Sequence, residues 1–207
     1  MRVLIRALVL LCVGTIFSVI NPLSGISQEG MVRAKIGILV KSDKQSMRPA
    51  KAKDRLKAMD MLRIYVHPEV NAFVYVIHTD QKTVTLLSMV EHRIHSSTTV
   101  LPSIQDFYQV DGQSPVETFS IICSPKEVKE LSALMTSQMP YKRWVSLEED
   151  LLKRGEIDLA QRPEKPFAIA GNVRGGNETA KDPFVKDLQI FSGKSVLVKK
   201  YEFRVTK

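Results

Sequence analysis

Between residues 31 and 123 the chain is a succession of short runs rich in β-branched and aromatic residues, separated by polar, turn-forming stretches. A period of two sends alternate side chains to opposite faces of a strand, so such runs specify sheets that bury one face or both. MVRAKIGILV at 31–40 reads as a first strand. In LRIYV at 62–66, Leu62, Ile64 and Val66 alternate with Arg63 and Tyr65, and Pro68 closes the run. AFVYVIH at 72–78 and TVTLL at 83–87 flank Asp80-Gln81-Lys82, the pattern of a hairpin whose turn lacks glycine. Asp111-Gly112 marks a further turn, and VETFSIIC at 116–123 a further strand. Leu188–Phe191 and Val196–Val205 read as closing strands, with a short strand at Phe167–Ala170 inside a loop of prolines and glycines.

After residue 123 the period changes. Ser124-Pro125-Lys126-Glu127 has the form of a capping box, with serine at the N-cap and proline at the first helical position; Val128, Leu131, Leu134 and Met135 follow at helical spacing. Ser146-Leu147-Glu148-Glu149 has the same form, with Leu147, Leu151 and Leu152 as the apolar face and Gly155 as the stop. Trp144 stands between the two helices so defined and is expected to pack them onto the strands. The fold class expected is α+β: a β-rich antiparallel sandwich-like core with two short capped helices inserted between strands.

Residues 1–27 are of another kind. Arg2 and Arg6 precede an almost unbroken apolar run from Ala7 to Ile20, and Gly25-Ile26-Ser27 offers a small-x-small cleavage pattern. This reads as a secretory signal peptide and places the chain in the periplasm or outside the cell. A spanning anchor needs about 20 apolar residues, more than this run supplies. Cys12 is preceded by the large Leu11, unlike a lipid-attachment cysteine. Cleavage would remove two arginines and no acids, lowering the net charge from +8 to +6, and would leave Cys123 as the sole cysteine, so that no internal disulfide can form. Residues 28–60 read as an N-terminal strand and a basic linker, and 61–207 as the β-rich domain.

Within that linker, residues 41–57 hold seven basic side chains, Lys41, Lys44, Arg48, Lys51, Lys53, Arg55 and Lys57, against Asp43 and Asp54. Met47 and Leu56 are too sparse to specify a buried face, so a solvated loop or short helix is expected, and with it contact to an anionic surface.

Signs of catalysis are weak. His92 and His95 sit three apart beside Glu91, with His78 upstream; on a strand that spacing points to opposite faces, so surface-loop histidines are expected and no metal or cofactor. Cys123 ends an apolar strand and reads as a small core residue rather than a nucleophile. Gly171–Gly176 lacks the spacing of a phosphate loop, and Asn177-Glu178-Thr179 is a glycosylation pattern without a eukaryotic context.

The residues LRIYV at 62–66, NAFVYVIHTD at 71–80, TVTLL at 83–87, Val100-Leu101-Pro102 and ETFSIICSP at 117–125 together resemble the bacterial family called domain of unknown function 4384, over Leu62–Leu134. The family tends to carry a glycine where this chain has Met59, and a Phe-Pro-like end after the LL strand where it has Ser88-Met89. The resemblance implies a compact β-rich module of secreted or membrane-linked bacterial proteins and brings no active-site residues. The function expected is therefore that of a secreted envelope accessory or binding module whose partner is an envelope protein or anionic surface component rather than a nucleic acid. The alternatives are an envelope-acting hydrolase with an unrecognised site and a structural subunit of an extracellular assembly.

Overall fold

The computed structural model describes residues 31–42, 47–93, 97–157 and 183–206. The signal-peptide segment, Cys12, Asp43, Lys44, His95, Phe167–Ala170, Gly171–Gly176 and Asn177–Thr179 lie outside the described residues.

Two sheets face one another. The first has the order β10–β1–β4–β7, where β10 is Gln189–Gly193, β1 Val32–Lys41, β4 Met61–Pro68 and β7 Thr99–Leu101; β2 (Met47–Pro49) also pairs with β1, and β8 (Tyr108–Gln109) with β4. The second has the order β3–β11–β9–β5–β6, where β3 is Lys53–Lys57, β11 Leu197–Thr206, β9 Val116–Ser124, β5 Ala72–Thr79 and β6 Val84–His92. Among the described residues β3 and β11 run parallel and all other pairs antiparallel. The fold is thus α+β with β dominant, as expected.

The core lies between the sheets and follows the period of two. Val32, Ala34, Ile36, Ile38 and Val40 of β1 and Leu62, Ile64 and Val66 of β4 meet Ala72, Val74 and Val76 of β5, Phe119, Ile121 and Cys123 of β9, and Tyr201 and Phe203 of β11. The β5–β6 hairpin forms without glycine. Gln81 takes φ +69°, and Asp80 Oδ1 accepts from the Lys82 and Thr83 amides and the Thr83 hydroxyl. Burial alone would raise the Asp80 carboxyl, but these hydrogen bonds outweigh it and hold it below the usual range. At Asp111-Gly112 the expected turn is present, with Gly112 at φ +73° and the Gln113 amide on Asp111 Oδ1.

The helices sit between strands, but neither capping box forms. Ser124 is the buried last residue of β9, held in the ladder opposite Phe73. The helix α1 (Lys129–Ser132) starts later, and the Val128 amide donates instead to the Tyr75 hydroxyl of β5, 2.9 Å away. The second helix, α2 (Tyr141–Gly155), starts five residues before Ser146, on Pro140, whose carbonyl accepts from Arg143 and Trp144. Proline fixes the extended approach, and Ser146 becomes an exposed mid-helix residue. Trp144 is consequently inside α2, not between helices; with Leu151 it is buried against Tyr75, Ile77 and Ile122 on the outer face of the second sheet. Gly155 does end the helix, and its backbone approaches Val196 so closely that a Cβ would lie 2.6 Å from that carbonyl oxygen.

Residues 41–57 also depart from expectation. Their described residues include the end of β1 and the strands β2 and β3 and no helix, and Leu56 is fully buried in the intersheet core. In β3 one inward leucine suffices because β11 supplies the pairing, and β2 takes its pairing from β1.

Candidate functional site

Of the seven basic side chains proposed for anionic contact, the six other than Lys44 are described, and these six do not form one patch. Lys41 stands over the Phe107 ring, 5.5 Å from its centroid, on the first sheet. Lys51, Lys53 and Arg55 gather along the β3 edge, where they line a shallow groove of about 310 Å³ with Asp54, Glu202 and Arg204. Lys57 is exposed at the end of β3. Period-two geometry places Lys53, Arg55 and Lys57 on the face opposite Leu56. Arg204, which sequence reasoning missed, joins them because it is the parallel register partner of Arg55.

Arg48 and Asp54 have another role. Their ion pair is 2.5 Å long, and Asp54 also accepts from the amides of Lys51 and Arg55 while Arg48 reaches the Arg55 carbonyl. Burial would raise the Asp54 carboxyl, but Arg48 and the two amides hold it below the usual range. This clasp occupies the backbone groups of Arg55 that an edge strand would otherwise present to another chain. The basic side chains stay free to act as charges.

A second arrangement lies between the sheets. His78, at the end of β5, meets Glu117 of β9 through Nε2 and Oε2, and its ring lies 5.0 Å from that of Phe119. They line a cleft of about 130 Å³ with Leu62, Leu87, Tyr108 and Asp111. The register shift between Val76 and Ile77 leaves Leu87 without a partner in the ladder and directs it to this cleft. The signal for the pair was present: His78 shares parity with the inward Val74 and Val76, and Glu117 with the inward Phe119 and Ile121. A polar residue continuing an inward series is a candidate site residue.

His92 is not on a surface loop. It closes β6, is only 2% exposed, and stacks edge-on against His67 of β4 with ring centroids 5.6 Å apart. Burial, and then the neighbouring His67, push its imidazole below the ordinary value of 6.5; the Ser97 backbone opposes this slightly. Among the described residues neither ring nitrogen makes a well-aligned hydrogen bond, the Ser97 backbone engaging at most one of them. Cys123 is fully buried in the core as expected, and burial pushes its thiol up to about 12, far from a reactive thiolate.

Comparison of the chain with protein-family models, with curated proteins and with solved structures finds no match in any of the three. No helix among the described residues is long and apolar enough to cross a membrane.

Proposed function

We propose that this chain is a secreted, non-enzymatic module of the bacterial envelope, similar to the domain of unknown function 4384 family, which binds an acidic envelope component through the basic side chains of the β3 edge. The reading rests on the convergence of Lys51, Lys53, Arg55 and Arg204 along one groove, beside an edge whose backbone is already clasped by Arg48 and Asp54. Such an edge is suited to charge-to-charge contact rather than to strand addition. Its sandwich form supports the module reading, and export rests on Arg2, Arg6 and the apolar run that follows them.

Attraction between exposed charges is screened over about 8 Å at physiological salt. The full chain should therefore be retained on a sulfated-polysaccharide resin and elute as salt rises. A variant carrying Lys51→Glu, Lys53→Glu and Arg204→Glu should elute at clearly lower salt, with nearly the parent's melting temperature, because exposed charges contribute little to folding. Equal retention of parent and variant would refute the site. The alternative of an envelope-acting hydrolase is favoured by one observation, the histidine–glutamate pair of His78 and Glu117 in a cleft, since such a pair can move a proton.

A further inference from the structure

We propose that His67 and His92 form a binding site for a divalent transition ion that accepts imidazole nitrogen, such as zinc or copper(II). The two residues are 25 positions apart and come from different sheets, His67 from β4 and His92 from β6. Their ring planes are nearly perpendicular, at 84°, with centroids 5.6 Å apart. With metal–nitrogen bonds of about 2.0 Å, two imidazoles sharing a tetrahedral ion have ring centres roughly 5 Å apart, close to the separation seen here.

The second observation is the state of His92. Buried polar atoms are almost always hydrogen-bonded, and leaving one unpaired destabilises the fold. Here, among the described residues, neither ring nitrogen of a 2% exposed side chain makes a well-aligned hydrogen bond, and the Ser97 backbone engages at most one of them. A bound ion would satisfy one of them. The Thr98 hydroxyl lies 3.4 Å from His67 Nδ1, an orienting contact that leaves Nε2 for the ion. A groove of about 290 Å³, lined by Asn71, Phe73, Glu91, Arg93 and Pro125, reaches His92 and gives an entry path. Water would complete the coordination, as it does at sites with open positions.

The test is calorimetric titration of zinc chloride into the full chain without any added histidine tag, together with electron paramagnetic resonance of its copper(II) complex. One ion per chain is expected, with nitrogen hyperfine structure from two imidazoles. His67→Ala should weaken binding at least tenfold, and His78→Ala should leave it unchanged. His67 is only partly buried, so its variant remains informative even where His92→Ala fails to fold. Absence of saturable binding below millimolar zinc, parent-like binding by His67→Ala, or a copper spectrum without imidazole nitrogen would overturn the proposal.

Discussion

Among the described residues, the fifteen-residue helix α2 packs on the outer face of the second sheet, whereas a five-residue 3-10 turn, Pro183–Asp187, packs on that of the first. On the second sheet Trp144 and Leu151 lie on Tyr75, Ile77 and Ile122, and a polar clasp sits within the same contact. Glu148 of α2, 5% exposed, accepts from the Ser120 hydroxyl of β9 and, at 2.8 Å, from Lys200 of β11, two residues that are themselves register partners. On the first sheet Phe184 and Leu188 pack with Leu39 and Tyr65, the Tyr65 and Phe184 rings 5.0 Å apart. Beside them Arg63 lies 3.8 Å from the centre of the Phe107 ring. A helix has enough length to bury an apolar stripe and align a charge with two strands. A single turn has no such stripe and instead uses a notch: Gly37 of β1 has no side chain, and Phe184 and Leu188 occupy the space a Cβ would need.

The largest effect should come from Trp144→Ala. Removing a large buried aromatic side chain costs about 3–5 kcal/mol, through lost transfer energy and the cavity left behind. Urea unfolding should show that loss. A change below about 1 kcal/mol would mean that the helix contributes little and the contrast between the two faces is false.

Glu148→Ala should come next, at about 2 kcal/mol, in the range expected for leaving a buried hydroxyl unpaired. Ser120 is 1% exposed and would lose its acceptor, whereas Lys200 is half open to solvent and recovers water. The double variant with Ser120→Ala should cost less than the sum of the single changes, because each removes the same hydrogen bond. Strict additivity by the same unfolding measurement would show that the clasp is not a coupled contact.

The difference between the two faces was only half legible in sequence. Strands were readable because a period of two survives in Val32–Val40, Leu62–Val66 and Phe119–Cys123, where one face must be apolar whatever packs on it. Helix starts were not, because the determinant was tertiary. Ser124 could cap a helix in isolation, but the ladder with Phe73 holds it in β9, and the Tyr75 hydroxyl, 53 positions away, takes over the orphan amide. The strand β3 was hidden by its charge, since a strand that borrows its pairing from β11 needs no alternation of its own beyond Leu56, and β2, paired with β1, is too short to show any period. Met59 has φ +75°, a backbone conformation where a glycine would be at ease. As for the sites, the β3 edge was legible as a charge run but not as a groove, because Arg204 joins it only through the fold. His92 was singled out but His67 was not, and nothing in their spacing says that two sheets bring them together.

The smallest effect expected tests the notch. A Cβ on Gly37 would lie 2.7 Å from Leu188 Cδ2 and 3.3 Å from the Phe184 ring. Both neighbours are side-chain atoms, and a leucine methyl can turn aside, so Gly37→Ala should cost at the low end of overpacking, about 1 kcal/mol. Its signature should be local. The turn at Pro183–Asp187 should be displaced from the sheet and become a site of limited proteolysis, since segments with few buried contacts open first. The contacts of α2 on the opposite side of the molecule should keep the parent's hydrogen-exchange protection. Unchanged proteolysis at the turn would mean that Phe184 and Leu188 are not seated on Gly37. Loss of protection in α2 as well would mean that the two outer faces are coupled through the core, and that the helix and the turn do not stabilise their sheets independently.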